Sequence, residues 1–148
     1  MIISFDIDNT LIPYGTAFSV EKRPWWATLL GAEPLRRGTP GLFRELKRRK
    51  HRVWIYTSSL RAPWRLRLTF AAYGLWPHRI INQLHNQQML RRHHCSASKN
   101  PALFGIDLHV DDSPGVAQEG DRWGFRTLLV APSDGDWIQT ILMQLEKR

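Results

Sequence analysis

The sequence predicts a three-layer α/β domain built on a mostly parallel five-stranded sheet. Short apolar or β-rich runs recur at Met1–Phe5, Val53–Tyr56, Arg79–Asn82, Leu108–Val110 and Arg126–Val130. Helical signals lie between them, and this alternation implies βαβ units joined by right-handed crossovers. Asp6, Thr57 and Asp111 each directly follow one of the runs. Three strands therefore present polar side chains at their carboxyl ends, the edge where such sheets bind ligands.

The first run is followed by an irregular stretch, residues 13–38, containing Pro13, Gly15, Pro24, Trp25-Trp26, Gly31, Pro34 and Gly38. Thr39 is the expected N-cap and Pro40 the N1 residue of a helix over 40–50, with Leu42, Phe43 and Leu46 on one face. The basic run Arg44–Arg52 reads as the solvated face and last turn of that helix. After the second strand, Ala62-Pro63 opens a helix over Trp64–Tyr73, which Gly74 ends. Residues 83–98 are polar, basic and less regular, with His85, His93, His94 and Cys95. The interval from Ser58 to Ser98 must nevertheless supply a helix, a strand and a connecting helix. At the C-terminus Ile138, Ile141, Leu142 and Leu145 follow a helical stripe behind the cap candidates Ser133 and Asp134. The 148 residues show no repeat, low-complexity tract or linker, so one domain over 1–148 is expected, with a small insertion around 13–38.

Composition narrows the function classes. Hydrophobic content of 43% is ordinary for a globular chain, and no apolar stretch approaches membrane-spanning length. The chain begins directly on a strand-like run without a basic leader, and a single cysteine excludes an internal disulfide framework. Both features predict a cytoplasmic protein. Residues 1–99 hold 17 Lys/Arg against 5 Asp/Glu, whereas residues 100–148 hold 4 against 8. A field of this kind attracts anionic partners, from phosphorylated metabolites to nucleic acid.

Two acidic pairs carry the chemistry. One lies in Asp6-Ile7-Asp8-Asn9-Thr10 and the other in Val110-Asp111-Asp112-Ser113, each at the end of an apolar run. Carboxylates at strand ends cost folding energy unless something positive sits between them, and a hard divalent cation is the natural candidate. Phosphoryl transfer through an aspartate asks for this set of groups. One carboxylate attacks phosphorus, a second protonates the leaving oxygen and later activates water, and a cation with fixed donors holds the phosphoryl oxygens. Asp6 and Asp8 point the same way if the chain stays extended, whereas a turn brings backbone N–H groups to the phosphate. Thr57 offers a hydroxyl, Lys99 a positive charge and Asp111 a further metal ligand.

Asp6-Ile7-Asp8-Asn9-Thr10, Thr57 after a hydrophobic strand, Lys99, and Asp111-Asp112 after another strand resemble the four motifs of the haloacid dehalogenase (HAD) superfamily, in the same order. The resemblance covers residues 1–115, and it implies a Rossmann-like sheet in the order 5-4-1-2-3. It implies Asp6 as nucleophile forming an aspartyl-phosphate and Asp8 as general acid/base. Thr57, with Ser58 as the less favoured choice, would bind the phosphoryl group, and Lys99 would pair with Asp6 and the phosphate. Asn9, Thr57, Ser58 and Lys99 are thus the expected substrate-binding residues. Mg²⁺ would be held by Asp6, the backbone carbonyl of Asp8 and Asp111, supported by Asp112. Asp8 points to phosphate chemistry, because the dehalogenase branch lacks an acid/base carboxylate there. With only residues 13–38 as extra material, the chain is similar to capless or minimally capped members, which act on large substrates or close the site by oligomerising.

Each of these residues also has a plainer reading. The Asp pairs fit turn and helix caps, Thr57-Ser58-Ser59 a strand-end cap cluster, and Lys99 an exposed lysine with Arg91 or Arg92 in its place. The histidines match no zinc spacing, His109 reads as a satisfied core residue, and Asp107 as a strand-entry residue. Trp25-Trp26 is either a stacking platform or part of a core or interface. The competing functions are a nucleic-acid-binding module with a vestigial site, and a polynucleotide or phosphoprotein phosphatase. A receiver-type switch is discounted, because its acids and phosphorylated Asp lie on strands in a different order.

Overall fold

The structure, a computed structural model, describes residues 1–147. Its strands are β1 (Ile2–Phe5), β2 (Arg52–Tyr56), β3 (Arg79–Ile81), β4 (Leu108–Asp111) and β5 (Thr127–Leu129). They form one sheet in the order β3-β2-β1-β4-β5, with every pairing parallel. This is the expected order read from the opposite edge. The helices are α1 (Trp25–Leu29), α2 (Thr39–Arg48), α3 (Pro63–Ala71), α4 (Gln83–Arg92), α5 (Pro114–Trp123) and α6 (Trp137–Glu146), with a 3₁₀ turn at Pro101–Phe104. No described helix is long and apolar enough to cross a membrane.

Side chains alternate across a strand, so each strand feeds two different layers. Ile3, Phe5, Val53, Ile55 and Val110 pack with Leu42, Phe43 and Leu46 of α2, Leu66 and Phe70 of α3, and Trp137 and Ile141 of α6. Phe43 bridges Phe5 and Phe70, with ring centroids 5.2 and 5.8 Å away. Each such buried side chain contributes about 1.5–3 kcal/mol relative to exposure. On the opposite face Tyr56 and Ile81 cluster with Ile106, Ile2, Trp54 and Phe104. Ser4 and His109 are buried there as well, which makes this second layer unusually polar beneath β1 and β4.

Several local expectations shift. Thr39 is not the cap of α2 but its first residue, and its hydroxyl donates to the Arg36 carbonyl (2.7 Å). The helix starts one residue early because Gly38 has φ 92°, and a Cβ there would lie 2.4 Å from Ile138 Cδ1. At α6 the N-cap is Asp136, while Asp134 braces the turn by accepting from Asp136 N (2.8 Å) and Thr140 Oγ1 (3.1 Å). Residues 83–92, read as less regular although the interval had to supply a connecting helix, form that helix, α4, capped by Asn82 accepting from His85 N (3.3 Å). Its apolar stripe is nearly absent, since only Asn86 and Leu90 are buried. Helix α5, for which no expectation was drawn, starts at a Ser113-Pro114 step and buries only Val116 and Gly120.

The insertion is fastened at three points. Arg36, only 2% exposed, donates to the carbonyls of Thr10, Ala131, Pro132 and Asp134, and its guanidinium lies over the rings of Phe18 and Trp137. Four carbonyl acceptors and two π-faces satisfy a cation that burial would otherwise penalise. Thr69 and Tyr73 of the α3 segment take the amides of Glu33 and Leu35.

At Gly120 a Cβ would sit 2.7 Å from the Phe125 carbonyl oxygen and 3.3 Å from its ring. Gly120→Ala is expected to cost about 1–3 kcal/mol in urea unfolding through overpacking between α5 and the start of β5.

Candidate active site

The parallel register pairs Ser4 with His109 and Phe5 with Val110, so Asp6 and Asp111 emerge side by side at the carboxyl ends of β1 and β4. Because side chains repeat every two residues, Ser4, Asp6, His109 and Asp111 share one face. Lys99 closes the group. Its Nζ lies 2.6 Å from Asp6 Oδ1 and 2.7 Å from Asp111 Oδ2, and the residue is 3% exposed. The lysine is held from both sides of the chain. Glu119 of α5 accepts from Ser98 N (2.8 Å), Ser98 Oγ (2.7 Å) and Lys99 N (3.4 Å). The Tyr56 hydroxyl accepts from Asn100 N (2.9 Å) and donates to Asn86 of α4. Lys99, rather than the exposed Arg91 or Arg92, therefore occupies this position.

Behind this pair, Asp111 Oδ2 lies 2.9 Å from His109 Nε2, and His109 Nδ1 lies 2.8 Å from Ser4 Oγ. Burial lowers the imidazole's proton affinity and so favours the neutral form of His109. A carboxylate only accepts, which assigns the proton to Nε2 and leaves Nδ1 to accept from the Ser4 hydroxyl. Burial alone would raise Asp111, but the His109 hydrogen bond and the Lys99 ammonium outweigh it and hold the carboxyl well below the usual range. Asp6 moves the other way, raised by burial and by the adjoining Asp111 despite the pull of Lys99. For Lys99 burial works against the charge, yet the two carboxylates prevail and the ammonium is held above its ordinary value.

Asp112 extends the cluster. Its Oδ1 accepts from Thr10 Oγ1 (3.3 Å), and one carboxylate oxygen each from Asp6, Asp111 and Asp112 lies within 4.8 Å of the others. Burial and the neighbouring Asp111 raise Asp112. Three carboxylates against one ammonium leave negative charge that a divalent cation would balance. Magnesium–oxygen bonds of about 2.0–2.1 Å place ligand oxygens some 3–4 Å apart, a spacing this group can reach. The amides of Asn9, Thr10, Leu11 and Ile12 close the turn onto Ile7 and Ile12 carbonyls. Among the described residues the Asp8 N–H and C=O take no partner, so both are available at the site.

Asp8 is held by an arrangement that spacing along the chain did not reveal. Arg61 Nη1 lies 2.9 Å from Asp8 Oδ1 and 3.0 Å from Ser59 Oγ. The same guanidinium grips Glu33 of the insertion through Nε (2.8 Å) and Nη2 (2.9 Å). A rigid fork between two carboxylates sets orientation as well as charge. The three residues are separated by 28 and 53 positions, and no local pattern links them.

A shallow cavity of about 270 Å³ opens over the group, lined by Asp6, Asp8, Tyr14, Ser58, Ser98, Lys99, Asp111 and Asp112. Of the expected residues, Thr57 and Asn9 do not line it. Thr57 is fully buried, with its Oγ1 accepting the Ser59 amide (3.0 Å), and Ser58 forms the wall instead. Asn9 adopts φ 58° and spends its Oδ1 on the Tyr14 amide (2.9 Å), closing the turn. Asp107 lies at the other end of the sheet, accepting from Ile2 N (2.6 Å).

No family model matches the sequence, and no curated protein matches it. Solved structures do. A predicted HAD-like family hydrolase from Porphyromonas gingivalis superposes with a TM-score of 0.56 at 16% identity, over 99% of this chain and 98% of that one. A chain of the Pnkp1/Rnl/Hen1 RNA repair complex superposes with a TM-score of 0.55 at 11% identity, over 86% of this chain. This protein spans only 41% of that second chain. The fold is HAD-like.

His109 generates a pH prediction. A base whose folded proton affinity is lowered carries no penalty above its unfolded value near 6.5, and an increasing one as pH falls below it. Unfolding free energy measured in EDTA is expected to decline between pH 7 and 5, and His109→Asn to flatten that decline. Identical slopes in both proteins would mean that His109 is not a buried neutral base.

Proposed function

We propose that this HAD-like protein is a Mg²⁺-dependent phosphatase that hydrolyses a phosphate monoester through an aspartyl-phosphate. The observation that carries the reading is the buried Lys99 ammonium shared by Asp6 and Asp111, with Asp112 presenting a third carboxylate beside them. Such a set serves no packing purpose at the rim of an open cavity, and strongly displaced proton affinities concentrate where chemistry is done.

In this reading an Asp6 carboxylate oxygen attacks phosphorus, and the bond to the ester oxygen breaks. Asp8 delivers a proton to the departing alcohol. Water then attacks the phosphorus of the acyl phosphate, giving its proton to Asp8 and returning Asp6 as carboxylate. Lys99 holds Asp6 in place and faces the phosphoryl oxygens, joined by the Ser58 hydroxyl on the cavity wall and the free Asp8 amide. Ser58 is assigned the phosphoryl contact, while buried Thr57 holds the loop behind it by accepting the Ser59 amide. Asn9 supports the substrate loop through its turn. Asp6, Asp111 and the Asp8 carbonyl would hold Mg²⁺, with Asp112 beside them. When bound, the ion offsets repulsion between the attacking carboxylate and the phosphate. Residues 13–38 act as a minimal cover within one domain, and the single Cys95 suits a reducing cytoplasm.

Turnover of p-nitrophenyl phosphate tests the assignment. It is expected to require Mg²⁺, to stop in EDTA and return on adding the ion, and to fall to background in Asp6→Asn with an unchanged circular-dichroism spectrum. Undiminished activity in that variant sinks the nucleophile assignment.

Arg61 is read as the residue that positions Asp8. Arg61→Met is expected to lower kcat on the order of ten- to a hundredfold, with KM little changed. The pH–rate profile should change with it. A variant with wild-type kcat and pH profile would leave Arg61 a structural salt bridge only.

A further inference from the structure

Between Glu45 and Asp107 the chain runs for 61 residues without a carboxylate side chain, while carrying 12 Lys/Arg and five of the six histidines. The topology turns this run into a surface. Residues 46–106 contain β2, α3, β3 and α4, so the β3 edge of the sheet and both helices beside it come wholly from acid-free chain. Arg48 and Arg49 pair with Glu45, Arg61 with Asp8 and Glu33, and Lys99 with Asp6 and Asp111. The other eight cations form no ion pair among the described residues. Five of them, Arg65, Arg67, Arg79, Arg91 and Arg92, are exposed on α3, β3 and α4.

This flank begins at the catalytic mouth. Ser58 lines the cavity, Leu60 is 70% exposed, Arg61 holds Asp8, and Trp64 is 66% exposed with Arg65 stacked 5.9 Å from its ring centre. Tyr14, 63% exposed, stands on the same cavity wall as Asp8. Around the β3 edge, on the opposite face of the sheet from α3, Arg79, His85, Arg92 and Phe104 line a groove of about 360 Å³ between β3, α4 and the 3₁₀ turn. Arg79 lies over the rings of Trp54 and Phe104. Unpaired arginines track a phosphate backbone, and exposed aromatic faces stack unpaired bases. An acidic peptide would use the charge but not the aromatic faces, and a duplex would hide the bases those faces take up.

We infer that the β3 flank binds single-stranded nucleic acid and leads its terminal phosphate to Asp6. The delivery step rests on the phosphatase reading above; the binding step does not.

Fluorescence polarisation of labelled dT12 without a terminal phosphate, in EDTA, tests binding apart from catalysis. Binding is expected at 50 mM salt and should weaken on the order of a hundredfold at 200 mM if five phosphates are neutralised. The exposed-site variant Arg65→Glu/Arg92→Glu should weaken it at least about tenfold with an unchanged thermal melt, and Trp64→Ala should weaken it severalfold. Absence of binding at 50 mM salt, or affinity untouched by the charge reversal, overturns the inference. So does competition by polyglutamate as strong as by unlabelled dT12, which would assign the flank to acidic protein partners. For delivery, dT12 bearing a 5′ or 3′ phosphate should show a KM below that of p-nitrophenyl phosphate, and an equal or higher KM overturns that step. Failure to hydrolyse p-nitrophenyl phosphate as well as both phosphorylated oligonucleotides, with dT12 binding intact, refutes the phosphatase reading and leaves the binding surface standing.

Discussion

A single ammonium organises this molecule. Lys99 is buried between the carboxylates at the ends of β1 and β4, and every feature nearby serves to place or balance it. Taking three charges from water costs several kcal/mol each, and the cost is recovered only with close geometry and satisfied remaining lone pairs. The structure meets that condition in layers. His109 and the Ser113 amide occupy Asp111, Ser4 occupies His109, and Glu119 with Tyr56 fixes the backbone on either side of Lys99. The polar second layer of the sheet supports this group, which accounts for the burial of a serine, a histidine and a tyrosine–asparagine pair beneath it.

The two halves of the proposed reaction are held by different parts of the chain. Asp6, the proposed nucleophile, is set by the end of β1 and by Lys99. Asp8 is set by Arg61, which the insertion grips through Glu33. Residues 13–38, too short to form a separate cap, thereby reach the proposed acid/base through one guanidinium. Arg36 plays the matching structural part at the other end of the insertion, binding carbonyls from the first turn and from the β5–α6 connection. An open cavity with a charged rim and an acid-free flank suits a substrate that supplies its own cover.

Legibility differed from element to element for physical reasons. Strands β1, β2 and β4 are apolar runs ended by polar residues, and helices α2 and α6 bury clear stripes, so periodicity located them. Helix α4 buries only Asn86 and Leu90, and α5 only Val116 and Gly120, so hydrophobic patterning had almost nothing to register. Thr39 looked like a cap because its residue type suits one. Its place was taken by Gly38, whose positive φ and contact with Ile138 belong to the packing of α6 on α2.

The apolar runs ended by acids placed Asp6 and Asp111 at one edge of the sheet, because parallel βαβ winding brings strand ends together whatever the loops do. The resemblance carried by the motif order implied the strand order and the parts of Asp8, Lys99 and Asp112. Only the tertiary structure decided that Ser58 rather than Thr57 faces the cavity, that Asn9 closes its own turn, and that Arg61 bridges Asp8 and Glu33. Those outcomes depend on loop paths and on contacts between residues tens of positions apart, and side-chain chemistry read along one dimension carries no information about either.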